Sequence, residues 1–174
     1  MTIFIETDRL LIREIHPNDI DGLLDIYRDF RNLRFIPNSN LNWTSEKLNE
    51  KYSKIIQDYK NGFGIFAVQL KDNGQIIGEA GLFNSFNELN HLELGYILDN
   101  KFWRKGYGSE ICSSLIDYGF NTLNLDKITA RMFKGNIASI RLSEKCGMKL
   151  IPQEQVGGLN DSCKFEILNN VNLK

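Results

Sequence analysis

The middle of the chain decides what kind of sheet it can build. Two extended apolar runs, Ile65 to Leu70 and Gln75 to Phe83, flank Asp72-Asn73-Gly74. Asn-Gly supplies the positive φ angles of a tight turn, so the runs are expected to pair as an antiparallel hairpin. A third run, His91 to Leu98, sets Leu92, Leu94, Tyr96 and Leu98 on one face and Glu93, Gly95 and Ile97 on the other, the two-residue period of a strand. A glycine-punctuated basic turn follows. It leads into a helical pattern from about Gly106 to Leu123, marked by Cys112, Leu115, Gly119 and Leu123, and then into a β-rich run, Lys127 to Phe133.

The flanking segments add helices. Arg9 to Ile15 has strand character, and Pro17 then opens a helix with Ile20, Leu23, Leu24 and Tyr27 on one stripe and Asp19 and Asp21 near its positive end. Arg31 to Trp43, with Pro37 and four asparagines, shows no period and is expected to be a loop. Thr44 or Ser45 caps a second helix with the stripe Leu48, Tyr52, Ile55 and Tyr59, ended by Gly62 and Gly64. Asn136 opens a short helix that Gly147 closes. Cys163 to Leu168 forms a last strand after a turn containing Gly157, Gly158, Asn160 and Asp161, and the pattern from Met148 to Glu154 is compatible with one strand more. The order β-α-α-β-β-β-α-β-α-β implies an α/β class fold, a mixed sheet with helices on both faces.

The chain has 174 residues and no linker-like stretch, so residues 1–174 are expected to form a single domain. Lys plus Arg number 21 and Asp plus Glu 22, a net charge of −1 that provides no field for nucleic acid or an acidic membrane surface. Glu6 and Asp8 break the basic-then-apolar pattern of an export signal, and no apolar run approaches membrane-spanning length. Cys112, Cys146 and Cys163 are odd in number and scattered, as are His16 and His91, which argues against a disulfide framework or a zinc site. A reduced cytoplasmic location is expected. Cys112 and Cys146 read as small buried hydrophobes.

The chemistry concentrates after the third strand. In Trp103-Arg104-Lys105-Gly106-Tyr107-Gly108-Ser109, two residues without Cβ let the backbone approach an anion, the following helix presents unpaired N–H groups, and Arg104 and Lys105 add charge. A strand-to-helix connection that simply needs glycines explains the same residues. Neither a P-loop nor a dinucleotide-binding glycine fingerprint is present.

Read with its surroundings, the turn becomes specific. Glu93-Leu94-Gly95-Tyr96-Ile97-Leu98-Asp99 followed by Phe102-Trp103-Arg104-Lys105-Gly106-Tyr107-Gly108-Ser109-Glu110 resembles the acetyl-CoA-binding motif of the GNAT superfamily of N-acetyltransferases. Asn136-Ile137-Ala138-Ser139-Ile140-Arg141-Leu142-Ser143-Glu144-Lys145-Cys146-Gly147-Met148 resembles its second motif, and Glu6-Thr7-Asp8-Arg9-Leu10-Leu11-Ile12-Arg13 resembles the start of its RimJ/RimL branch, which includes ribosomal-protein N-terminal acetyltransferases. The resemblance implies a mixed, mostly antiparallel twisted sheet of six to seven strands flanked by about four helices. It also implies the following functional assignments. Acetyl-CoA is cosubstrate and no metal is needed; its pyrophosphate lies on the amides of Arg104, Lys105, Gly106, Tyr107, Gly108 and Ser109, and its pantetheine runs beside Ile97 and Leu98 and contacts Asn136. Ser139 lies near the thioester sulfur.

An amine is protonated at neutral pH, so attack on a thioester needs a base. Glu93 is the candidate, with Glu79 in reserve; a solvated surface glutamate is the alternative for Glu93. The general acid lies between Ser139, Ser143 and solvent, and Asn136 is either a pantetheine ligand or only an N-cap. The oxyanion is assigned to the backbone N–H near Ile97 by analogy. The expected acceptor is a protein N-terminal α-amine or a small-molecule amine, in a pocket with Phe35, Trp43 and Tyr52. The rivals are a non-catalytic acyl-CoA-binding module and an ATP-binding module. A monomer or a homodimer fits the sequence equally well.

Overall fold

The computed structural model describes residues 1–37, 42–152 and 161–169. Its strands are β1 (Ile3–Glu6), β2 (Leu10–Arg13), β3 (Gly64–Leu70), β4 (Ile76–Glu88), β5 (His91–Leu98), β6 (Lys127–Phe133), β7 (Lys149–Ile151) and β8 (Ser162–Leu168). Its α-helices are α1 (Ile20–Arg28), α2 (Phe30–Leu33), α3 (Ser45–Ile55), α4 (Tyr107–Asn121) and α5 (Ile137–Lys145). The strands are hydrogen-bonded in the order β1-β2-β3-β4-β5-β6-β8-β7. Pairing is antiparallel at β1–β2, β2–β3, β6–β8 and β7–β8 and parallel at β5–β6, where α4 makes the crossover a parallel pair requires. The mixed, mostly antiparallel sheet is the expected class with more strands than expected.

The chain groups into two compact units, Met1–Gly81 with Tyr96–Tyr107, and Leu82–Gly95 with Gly108–Lys174. In the first, α1 and α3 bury Ile20, Leu23, Leu24, Tyr27, Leu48 and Tyr52 together with Ala67 of β3 and Ile97 of β5. Each such aliphatic side chain contributes about 1.5–3 kcal/mol when taken out of water. A buried Arg13–Asp19 pair, held by two hydrogen bonds of 2.7 and 2.8 Å, ties β2 to the start of α1. In the second, α4 buries Ile111, Cys112, Leu115 and Ile116. A Cβ on Gly119 would lie 2.7 Å from Ile128 Cδ1 of β6, so glycine allows this helix its close seat.

Several expectations are corrected. Ile3–Glu6, too short for its alternation to register, is a strand because it pairs with β2. Arg31 to Leu33, expected as loop, lie in one helical turn, Phe30–Leu33, because the Asp29 carboxylate accepts from the Arg31 N–H. The α3 stripe stops at Ile55, and Tyr59 lies on a 3-10 turn, Ile56–Asn61, with its hydroxyl donating to the Ile65 carbonyl at 2.6 Å. In the β3–β4 turn only Gly74 has positive φ; Asn73 instead accepts from the Gln75 N–H through its side chain. The strand expected over Met148–Glu154 is the shorter β7, and its residues 153–154, like Gly157, Gly158 and Asn160 of the expected turn, lie outside the described residues. Among the described residues no helix is long and apolar enough to cross a membrane.

Candidate active site

The basic turn starts where β5 ends. Asp99 caps a 3-10 turn, Asn100–Phe102, by accepting from the Lys101 N–H, and Asn100 is held by α2 through Asn32 Oδ1, which its N–H reaches at 2.8 Å. Arg104 and Gly106 then take left-handed φ of 60° and 85°. Glycine makes the second of these favourable. Arg104, Lys105 and Gly106 are exposed, and the backbone turns directly into the first N–H groups of α4, which have no partner inside a helix. The result is an accessible turn with a cationic rim, a geometry that suits an anion.

Arg9 braces this turn. Its guanidinium donates to the Lys105 carbonyl at 3.0 Å and lies 4.2 Å from the centre of the Tyr107 ring. Arg9 was legible only as part of the opening motif, without a role. Trp103 Nε1–H donates to the Leu98 carbonyl at 2.9 Å, and the Asp99 N–H donates to the Ile77 carbonyl. The Leu98 carbonyl is thus engaged by the Trp103 indole. Ile97 and Leu98 are buried, and a Cβ on Gly78 would lie 2.2 Å from the Ile97 carbonyl oxygen. Only glycine lets β4 approach this part of β5.

On α5, Asn136 Oδ1 accepts from the Ser139 N–H at 3.3 Å, so Asn136 is the N-cap. A Cβ on Gly108 would lie 3.3 Å from Leu142 Cδ2, which sets α5 against the first turn of α4. Along α5 Ala138 is exposed, whereas Ser143 is buried. The helix is rotated so that Leu142 and Ser143, not Ala138, meet the core. Cys112 is buried, while Cys146 is only half-buried; a hydrogen bond from the Cys112 thiol and a 3.6 Å contact with Ser113 Oγ bring the Cys146 thiol down to about 6.

The two glutamates singled out from the sequence have different surroundings. Glu93, on β5, is buried and clamped by Arg131 of β6, with Nε–Oε1 at 2.9 Å and Nη2–Oε2 at 2.5 Å. Glu79, on β4, is buried among two helices. Its Oε1 accepts from Tyr27 OH and Lys51 Nζ, each at 2.6 Å, and its Oε2 accepts from Tyr52 OH at 2.5 Å. Burial and then the Glu79 charge push both phenols far above their ordinary range, so they remain hydrogen-bond donors. The sequence offered Tyr52 as part of a helix stripe and as a pocket residue, and Tyr27 only as part of a helix stripe; Lys51 carried no signal. Trp43 lies edge-on to Tyr27 at 4.7 Å, and Phe35 lies instead under the Arg34 guanidinium.

A cavity of about 450 Å³ opens at the other end of β5, lined by Glu88, Asn90, His91, Asp126, Lys127, Leu168 and Asn169. It contains none of the residues expected to act. Among the described residues no cluster of His, Cys, Asp and Glu is arranged to hold a metal ion.

Comparison with known proteins gives the arrangement its family. Residues 9–149 match the acetyltransferase (GNAT) domain. The N-acetyltransferase YnaD of Bacillus subtilis (strain 168), itself uncharacterized, is 30% identical over 145 residues, covering 83% of this chain and 82% of that protein. A GNAT-family acetyltransferase structure from Bacillus anthracis superposes with a TM-score of 0.81 at 25% identity, covering 97% of this chain and 99% of that one. The spermidine N-acetyltransferase of Vibrio cholerae, solved with CoA and spermine, shares the fold with a TM-score of 0.78 at 21% identity, covering 97% and 100% of the two chains. The matched domain takes in the basic turn and the Asn136 helix, and the chain belongs to the GNAT family, as an N-acetyltransferase with acetyl-CoA as its acyl donor.

Proposed function

We propose that the protein acetylates a primary amine by direct transfer within a ternary complex, with Glu79 receiving the proton of the acceptor ammonium. The observation carrying this reading is the difference between the two buried carboxylates. Both oxygens of Glu93 are held by one guanidinium, which keeps its proton in proteins and matches a carboxylate bidentately. Glu79 is held by two neutral phenols and by one lysine on a flexible stem, so it can exchange that cation for a substrate's. Its strand neighbour Gly78 touches Ile97, the segment beside which the family resemblance runs the pantetheine.

In this reading the pyrophosphate lies on the amides of Arg104 to Ser109 and the pantetheine runs beside Ile97 and Leu98, with Asn136 the further contact that the family resemblance implies. The acceptor ammonium gives its proton to Glu79, and the neutral nitrogen attacks the thioester carbonyl. A C–N bond forms, the C–S bond breaks, and the second proton of the attacking nitrogen passes, through Ser139 or water, to the departing thiolate, while Glu79 returns its proton to solvent. The products are the N-acetyl amine and free coenzyme A, with one proton released overall. No enzyme nucleophile is required. The ammonium-sized setting of Glu79 favours a small-molecule amine, and spermine in the V. cholerae relative is compatible with that class.

The test is calorimetry with acetyl-CoA, followed by thiol release against panels of small amines and N-terminal peptides. Binding with release on the small-amine panel supports the reading. Release on the peptide panel alone would overturn the acceptor class, and absence of binding would overturn the cofactor assignment.

A further inference from the structure

Lys51 is not placed like Lys54, which also forms an ion pair from α3. In the Lys54–Glu50 pair the side chains are 71% and 67% exposed, and such a pair contributes little. In the Lys51–Glu79 pair they are 22% and 6% exposed. The Lys51 ammonium also donates to Tyr27 OH and lies 4.7 and 4.8 Å from the ring centres of Tyr27 and Tyr52. A buried carboxylate and a phenol oxygen in hydrogen-bond contact with one nitrogen, with two phenol rings beside it, are groups that hold an ammonium.

The two parts of this cluster differ in mobility. Tyr27, Tyr52 and Glu79 are buried and come from α1, α3 and β4, so three packed elements fix them. Lys51 alone reaches in on four methylenes, and Glu79 keeps both phenol hydrogen bonds when it leaves. Beside the cage, Trp43 Nε1–H is buried and has no acceptor among the described residues. A buried donor without a partner costs about 1–3 kcal/mol, so the site holds hydrogen-bonding capacity that a ligand can use.

We infer that Tyr27, Tyr52 and Glu79 form a receptor for an unbranched primary ammonium group, which Lys51 fills from within and the acceptor amine enters when Lys51 swings out. This deepens the proposed role of Glu79 and rests on it only for the fate of the proton. Lys51 is then an internal competitor. The receptor selects amines with a slender alkyl carrier, because the channel it offers is the one the lysine stem occupies, and it disfavours α-branched amines such as peptide N-termini.

The experiment is chemical rescue without acetyl-CoA. Lys51→Ala removes three methylenes and the ammonium, and n-propylammonium replaces those atoms. The expected result is a lower Tm for Lys51→Ala that rises with millimolar n-propylammonium, no comparable rise with n-propanol at equal ionic strength, and no rescue in Lys51→Ala with Glu79→Gln. On the native chain the ring resonances of Tyr27 and Tyr52 should shift with n-propylammonium and not with n-propanol, a measurement that does not depend on the variant folding. Absence of that shift, or equal rescue with Glu79→Gln, would overturn the receptor. If rescue is seen but no variant transfers acetyl, the catalytic reading fails and the receptor stands; if transfer is seen without rescue, the reverse holds.

Discussion

Glu79 and Glu93 are the same residue type on consecutive strands, both buried, yet their surroundings give them different chemistry. Glu93 faces a guanidinium on the neighbouring strand, also within 5.4 Å of the Phe86 ring centre, and its carboxylate behaves as one half of a structural pair. Glu79 faces helices that bring phenols and an ammonium, groups that can donate, exchange and be displaced. Burial alone therefore does not distinguish the two carboxylates. In the proposed reading the partner's ability to leave does.

The largest effect separating the two should be on turnover. Glu79→Gln is expected to lower kcat by roughly 100-fold or more, the usual contribution of a positioned base, with calorimetric affinity for acetyl-CoA retained. Glu93→Gln is expected to change kcat by less than about 10-fold, below the range of a lost base. The opposite ranking in the thiol-release assay would return the base to Glu93.

Stability should rank the same pair by the charge each substitution leaves unpaired. Tyr52→Phe takes a neutral donor from a carboxylate that keeps Tyr27 and Lys51, and should cost about 1–3 kcal/mol in a urea midpoint analysis. Arg131→Met leaves the Glu93 carboxylate, whose side chain is 10% exposed, without its guanidinium, so the expected cost is larger, about 3–5 kcal/mol. A smaller loss at Arg131 than at Tyr52 would show that water replaces the clamp on Glu93.

Much of this frame was readable from the chain. The bounds of β5 and β6, the Tyr107–Asn121 helix to within two residues, and the glycine turn followed from period and glycine placement, which are local signals. What the sequence hid depends on long-range partners. β1 exists because β2 lies beside it, and Ser143 is buried because Leu142 packs on the start of α4. Strand alternation put Glu93 opposite an apolar stripe but held no information about Arg131, 38 residues away, and the helix stripe of Tyr52 gave no hint that Lys51 points the same way. Only folding brings Tyr27, Tyr52 and Lys51 onto Glu79, across separations of 27 to 52 residues.

The finest distinction lies in alkaline solution. Tyr27 and Tyr52 hold their protons far above the ordinary phenol value because they are buried beside Glu79, whereas in the unfolded chain each titrates near pH ~10. Below that pH both states are protonated and the phenols give no pH slope. Above it the unfolded chain sheds protons that the folded chain keeps, so stability falls as pH rises, by about 1.4 kcal/mol per pH unit for each such tyrosine. Tyr59, raised to about 12, adds to the total slope, so the informative quantity is a difference between variants. Urea midpoints from pH 9 to 11 should show Tyr52→Phe with a shallower decline than the native chain by the share of one phenol. Arg131→Met should leave the slope unchanged, because the guanidinium, raised further by Glu93, stays charged throughout. Equal slopes in Tyr52→Phe and the native chain would mean that the phenol reaches solvent and that the Glu79 cage is not the closed receptor described above.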